Sequence, residues 1–257
     1  MKIRNLLRLL LLAGMLGGAF GLSVTAQESS ADKAAECNPV ESAFMKQRLQ
    51  DWAGLDRYRK DNEALRSSPQ TSNRVVFFGD SITDFWGRLE DTGTFFPGKP
   101  YVNRGIGGQT TSQMLVRFMQ DVVRLHPAAV VILAGTNDIA GNTGPSTPQM
   151  IEDNYTAITT IANGNGIKVI LASITPADHY GWNPTVKPVD EIRELNAWIK
   201  QFCANGACTY LDYYSAMSDS QGAMLPGYSK DGVHPTSKGY SIMAPLAEQA
   251  IAKALGR

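Results

Sequence analysis

The chain of 257 residues holds three histidines, His126, His179 and His234, so the search for a catalytic base is short. His234 lies in Lys230-Asp231-Gly232-Val233-His234-Pro235-Thr236, with a carboxylate three residues upstream. On a turn, that spacing brings Asp231 to the Nδ1 side of the imidazole, where it can hold the tautomer and stabilise the imidazolium. A nucleophile candidate ends an apolar run: Arg74-Val75-Val76-Phe77-Phe78 passes into Gly79-Asp80-Ser81. This reads as a buried strand delivering Ser81 to the C-terminal edge of a sheet, where open α/β sheets bind their ligands. Alone, an Asp-x-x-His would read as a solvated turn. Beside a strand ending in Gly-Asp-Ser, it reads as the base and orienter of a serine nucleophile. His126, ahead of Pro127, enters a strand at the opposite edge and reads as a structural cap. His179 follows a strand at the correct edge and can line the cleft.

Acyl transfer also needs donors for an oxyanion. Asn103-Arg104-Gly105-Ile106-Gly107-Gly108-Gln109-Thr110 follows a short strand and opens a helix. Its glycines let a backbone N–H approach a ligand with no Cβ in the way, and the helix N-terminus adds positive potential. A dinucleotide-binding loop would follow the first strand and carry a third glycine; Thr110 stands there instead. Gly135-Thr136-Asn137-Asp138 ends another apolar run, and Asn137 can aim an amide at developing charge, worth roughly 3–4 kcal/mol in the transition state. The alternative for Asn137 is an Asx turn. Asp91-Thr92-Gly93 occurs once, where carboxylate-pair proteolysis needs two acids sharing a proton, so it reads as a turn. Asn154-Tyr155-Thr156 is a glycosylation sequon inside a predicted helix.

The elements that must position these residues alternate. Strands are expected at Arg74–Phe78, Tyr101–Asn103, Ala128–Ala134, Ile167–Ser173 and Thr209–Leu211. Helices are expected at Val40–Leu65, Ser112–Leu125, Thr147–Asn163, Val189–Phe202 and Ser237–Leu255. Strands separated by helices imply right-handed crossovers and a parallel sheet covered on both faces.

Before this domain, Lys2, Arg4 and Arg8 precede an apolar run from Leu9 through Leu22, followed by Val24-Thr25-Ala26. The expectation is a secretory signal peptide over residues 1–26, the alternative being a retained anchor. A flexible leader over 27–40 and one domain over 41–257 follow. Removing those three cations from 24 basic and 24 acidic residues leaves a net charge of about −3, which argues against a nucleic-acid partner. No later segment is long and apolar enough to cross a bilayer. Cys203 and Cys208 are expected to pair in an oxidising compartment, the alternative being two reduced thiols at a helix end, and Cys37 is left over. No zinc-type spacing occurs, and no metal or cofactor is expected.

Gly79-Asp80-Ser81, Gly105-Ile106-Gly107-Gly108, Gly135-Thr136-Asn137-Asp138 and Asp231-Gly232-Val233-His234-Pro235, in this order, resemble the four blocks of the SGNH subgroup of the GDSL esterase/lipase family. The likeness runs from about Arg74 to Leu255, and the glycine-rich block looks closest to relatives of platelet-activating-factor acetylhydrolase. The first block reads Gly-Asp-Ser-Ile, not Gly-Asp-Ser-Leu, a conservative apolar change. The resemblance implies a three-layer α/β/α sandwich on a five-stranded parallel sheet of flavodoxin-like order. It makes Ser81 the nucleophile, His234 the base and Asp231 its orienter. It puts the N–H groups of Ser81 and Gly108 and the Asn137 side chain in the oxyanion hole. There is no Gly-x-Ser-x-Gly elbow.

The expected protein is a secreted or periplasmic serine esterase that removes short acyl groups, with acetyl on carbohydrate the first expectation. Base catalysis by imidazole predicts activity rising through roughly pH 6–7. The segment Asp178–Pro188 should border the cleft, so Trp86, His179, Tyr180 and Trp182 are candidate substrate contacts; the alternative for both tryptophans is core. A lysophospholipase or thioesterase of the same fold is the second expectation. A non-catalytic ligand-binding module is the third, disfavoured because no expected site residue is missing.

Overall fold

The structure is a computed structural model, and it describes Lys46, residues 49–68 and residues 73–257. The expected signal peptide, the leader, Phe44, Met45 and Cys37 lie outside the described residues. Five strands form one sheet: β1 (Val75–Gly79), β2 (Tyr101–Gly105), β3 (Ala129–Leu133), β4 (Lys168–Ala172) and β5 (Thr209–Leu211). All neighbours are parallel, in the order β2-β1-β3-β4-β5. This is the flavodoxin-like order, with its switch point at the C-terminal ends of β1 and β3.

β1 and β3 are buried along their whole length, as a sheet covered on both faces requires. Successive side chains point to opposite faces. Val76 and Phe78 of β1 enter one hydrophobic cluster, while Val75 and Phe77 enter another. The first cluster is completed by Met114 and Phe118 of α3 (Thr111–Asp121), Ile151, Tyr155 and Ile158 of α5 (Pro148–Gly164), and Ile192, Leu195 and Ile199 of α6 (Val189–Phe202). The second is completed by Tyr240, Met243, Ala247 and Ile251 of α8 (Ser237–Ala254). These are the two outer layers of the sandwich.

Short helices absent from the sequence reading follow three strands: α2 (Ser81–Phe85), α4 (Thr136–Ile139) and α7 (Tyr214–Met217). Each is a turn or so long, too short to show periodicity. The expected helix over Val40–Leu65 is corrected. In the described part Lys46, Leu49 and Gln50 are helical and α1 (Arg59–Ser67) is helical, but residues 51–58 between them form turns. The Asp51 carboxylate accepts the N–H groups of Leu55 (2.8 Å) and Asp56 (2.9 Å), and Gly54 has φ +67°. That side-chain competition with helical bonding turns an apolar spacing of threes and fours into a loop. Cys203 and Cys208 are disulfide-bonded. Among the described residues, no helix is long and apolar enough to cross a membrane.

Candidate active site

β1 hands the chain to the site through Asp80, whose carboxylate accepts the Ile82 N–H at 2.9 Å and caps α2. Ser81 is therefore the first residue of a helix, where backbone N–H groups lack intrahelical partners. The loop before α8 brings His234 to the same edge. Ser81 Oγ lies 2.9 Å from His234 Nε2, and His234 Nδ1 lies 2.6 Å from Asp231 Oδ2. A carboxylate only accepts, so Nδ1 carries the proton and Nε2 presents its lone pair to the serine. Asp231 Oδ1 also accepts the N–H of Val233 (2.9 Å), the N–H of His234 (2.8 Å) and the Ser229 hydroxyl (2.9 Å). Burial pushes the Asp231 carboxyl up, but these hydrogen bonds and the imidazole outweigh it and hold the group well below its usual range.

The turn carrying His234 is braced. Asp91 ion-pairs with Lys230 (2.8 Å) and accepts the Ser237 hydroxyl (2.8 Å). The turn expected at Asp91–Gly93 therefore holds both flanks of the base. The His234 ring lies between Phe85, 5.2 Å between centroids, and Trp182, 6.1 Å.

The glycine-rich loop passes beside Ser81. At Gly105 a Cβ would come within 2.1 Å of the Asp84 backbone nitrogen, so only glycine lets β2 approach α2. Gly108 has φ +77°, a conformation that glycine adopts without steric cost. Among the described residues, neither the Ser81 nor the Gly108 N–H has a protein acceptor. Asn137, the second residue of α4, donates through Nδ2 to Asp80 Oδ2 (3.2 Å) and the Gln109 carbonyl (3.0 Å). Its neighbour Asp138 accepts the Thr111 N–H (3.0 Å) and hydroxyl (2.6 Å), tying α4 to the start of α3. Burial raises Asp138 to about 6 and Asp80 to about 7.

Three of the four expected substrate contacts, Trp86, Tyr180 and His179, do not line the cleft. Trp86 is in the core, stacked on Tyr240 at 4.8 Å. Tyr180 is fully buried, because its ring packs under Trp182 at 5.0 Å. Trp182 itself is 46% exposed and lines the cleft. His179 is exposed, pairs with Asp178 at 2.7 Å, and backs the Gly232 turn outside the cleft lining. His126 caps a 3₁₀ turn in the left-handed region, away from the site.

The cleft holds about 680 Å³, with Ser81, His234 and Asn137 in its wall. One side of it was missed by the sequence reading: Asp51, Trp52, Gly54, Asp56 and Arg57. Gln109 donates to the Ala53 carbonyl (2.7 Å), and Gln113 donates to that of Trp52, which clasps this loop to the glycine-rich segment. Arg117 was missed too. Fully buried on α3, it donates to the carbonyls of Gly79 (2.9 Å) and Arg104 (2.9 Å), to Gln109 and to Asp121 (3.1 Å). Burial lowers its pKa to about 10, still cationic at neutral pH. The sequence signal was an arginine among Met114, Phe118 and Asp121 on the buried face of one helix.

The chain matches the model of the GDSL-like lipase/acylhydrolase family over residues 77–242. A protein of Bacteroides fragilis assigned as an acylhydrolase is 46% identical; the match covers 80% of this chain and 99% of that one, with a TM-score of 0.75. A GDSL-like lipase of Bacteroides thetaiotaomicron is 42% identical, covering 79% and 100%, with a TM-score of 0.75. An acetylxylan esterase of Geobacillus stearothermophilus is 20% identical, covering 70% and 94%, with a TM-score of 0.57, a likeness of fold. Among curated proteins no match was found.

Proposed function

This chain belongs to the GDSL-like lipase/acylhydrolase family and is a carboxylic ester hydrolase; on that premise we propose that it is a secreted or periplasmic esterase removing short acyl groups, acetyl first, from carbohydrate. The observation that carries the mechanism is the line Asp231–His234–Ser81, with steps of 2.6 and 2.9 Å, ending in an open cleft. His234 takes the Ser81 proton as Oγ attacks the ester carbonyl. The oxyanion is met by the N–H groups of Ser81 and Gly108 and by Asn137 Nδ2. His234 then protonates the departing alcohol, and water hydrolyses the acyl-enzyme with the same base.

The substrate reading is supported by two half-exposed indoles, Trp52 and Trp182, in the wall of a cleft that also presents Asp56, Arg57 and Asn142. Aromatic faces with polar edges suit a sugar ring better than a long alkyl chain. The acetylxylan esterase with this fold gives an example of such a substrate. Export is supported by the signal-like residues 1–26 and by the Cys203–Cys208 bond, which suits an oxidising compartment.

The test is hydrolysis of p-nitrophenyl acetate, butyrate and octanoate beside Ser81→Ala, then of acetylated oligosaccharides. Rates falling with chain length and vanishing in the variant are expected. Preference for octanoate would turn the reading towards a lysophospholipase or thioesterase. Full activity of Ser81→Ala would reopen the ligand-binding module.

A further inference from the structure

An asparagine amide can present either end to a partner, and only its surroundings decide which. For Asn137 to offer N–H groups to an oxyanion, its Oδ1 must be held by a donor. That donor is Asn142 Nδ2, at 2.8 Å. The same Nδ2 donates to the carbonyl of Gly108 at 3.2 Å. Asn142 thus touches both residues that flank the proposed oxyanion position from the protein side. Its backbone N–H adds a bond to the Asn137 carbonyl at 3.0 Å.

Asn142 has the same ambiguity, and it is settled by Trp182. The indole Nε1–H donates to Asn142 Oδ1 at 3.0 Å, which leaves Nδ2 facing Asn137. Trp182 is itself located by stacking on buried Tyr180. The adjacent Asn183 donates to the Ala140 carbonyl at 2.9 Å, at the end of α4. We propose that Asn142 is a positioning residue. With Trp182 it forms a relay that holds the Asn137 amide and the Gly108 peptide in the orientation that receives the oxyanion. Because Trp182 lies in the cleft wall next to His234, a substrate resting on its indole acts on the relay directly. The inference rests on the serine-esterase reading above.

The test is steady-state hydrolysis of p-nitrophenyl acetate by Asn142→Ala, Asn142→Asp, Trp182→Phe, Asn137→Ala and the Asn137→Ala/Asn142→Ala pair, beside wild type and Ser81→Ala. Asn137→Ala should lower kcat about 100-fold. Asn142→Ala and Asn142→Asp should lower kcat and kcat/KM together by about 10-fold or more, with KM within about twofold, the pattern of an interaction realised in the transition state. Trp182→Phe keeps the ring at an exposed position but removes the N–H; it should lower kcat about 3–10-fold. The double variant should be faster than the product of the two single effects, because part of the action of Asn142 runs through Asn137 and the rest through the Gly108 peptide. A double variant slower by the full product of the single effects would overturn the relay, as would wild-type kcat in Trp182→Phe. An active Ser81→Ala would instead remove the reading beneath it.

Discussion

Arg117 Nη2 donates to the carbonyl of Gly79 at 2.9 Å, two residues ahead of Ser81. The same guanidinium holds the Arg104 carbonyl at the end of β2 and Gln109 in the glycine-rich loop. Its neighbour Asp121 accepts from Asn62 at 2.7 Å, and Asn62 accepts from Arg104 at 2.8 Å. One buried cation therefore sets the spacing between the strand that carries Ser81 and the loop that carries Gly108.

Arg117→Met removes that cation, so Asp121 loses its charged partner and the Gly79 and Arg104 carbonyls each lose one donor. Breaking a buried charge pair from one side costs about 3–5 kcal/mol. Urea unfolding should show a loss of that size. Esterase activity at temperatures where the variant remains folded should also fall, because the two donor segments lose their common tie. An unchanged unfolding midpoint would mean that the network rearranges without Arg117.

Ser81→Ala and His234→Ala should each lower kcat by about 10⁴–10⁶, and Asp231→Asn by about 10²–10⁴. The asparagine can still accept the Val233 and His234 N–H groups, so the turn survives while the imidazole tautomer is no longer dictated. Asp231 is held below the usual carboxylate range and stays ionised as the medium is acidified through it. Activity lost in mild acid is therefore not lost by protonating Asp231. Titration of kcat/KM in wild type and Asp231→Asn checks this.

Burial raises Asp80 to about 7 from an ordinary 3.8. A group raised in the folded state contributes stability below its unfolded value, and that contribution is lost as pH climbs through the folded one. Wild-type stability relative to Asp80→Asn should therefore decline between about pH 4 and pH 7 and level off above, by a few kcal/mol on the order of magnitude. Asp138, raised to about 6, shifts in the same direction but is present in both proteins. Paired urea curves across that range decide it; a flat difference would mean that Asp80 titrates as an ordinary carboxyl.

Trp52 offers an indole that is 45% exposed in the cleft wall. Trp52→Ala should raise KM for an acetylated oligosaccharide about 3–10-fold, the scale of one aromatic contact, with a smaller change for p-nitrophenyl acetate. Equal KM values on the oligosaccharide would place the sugar elsewhere.

The layered parallel fold was legible because its causes are local. Val75–Phe78 and Ala129–Leu133 are uninterrupted apolar runs, and each is followed by the polar residues of a strand end. Ser81 and Asn137 announced themselves by lying at those ends, and the Asp231–His234 turn by its spacing. What sequence alone could not decide was which side chains share the cleft. Trp86 and Trp182 are the same residue type in similar loops, yet one packs on Tyr240 and the other faces solvent. Trp86 is covered by α8, far away in the chain, whereas Trp182 rests on nearby Tyr180 and bonds Asn142. Trp52 and Arg57 fall inside the helix expected over Val40–Leu65, where the Asp51 carboxylate instead folds the segment into turns. Asn142 carried no signal, because a hydrogen-bond relay is a property of distances across elements, and Arg117 showed only its place on the buried face of a helix, not its partners. Composition and spacing determine the strands and the chemistry at their ends; only tertiary packing brings the partners within about 3 Å of one another, the reach of a hydrogen bond.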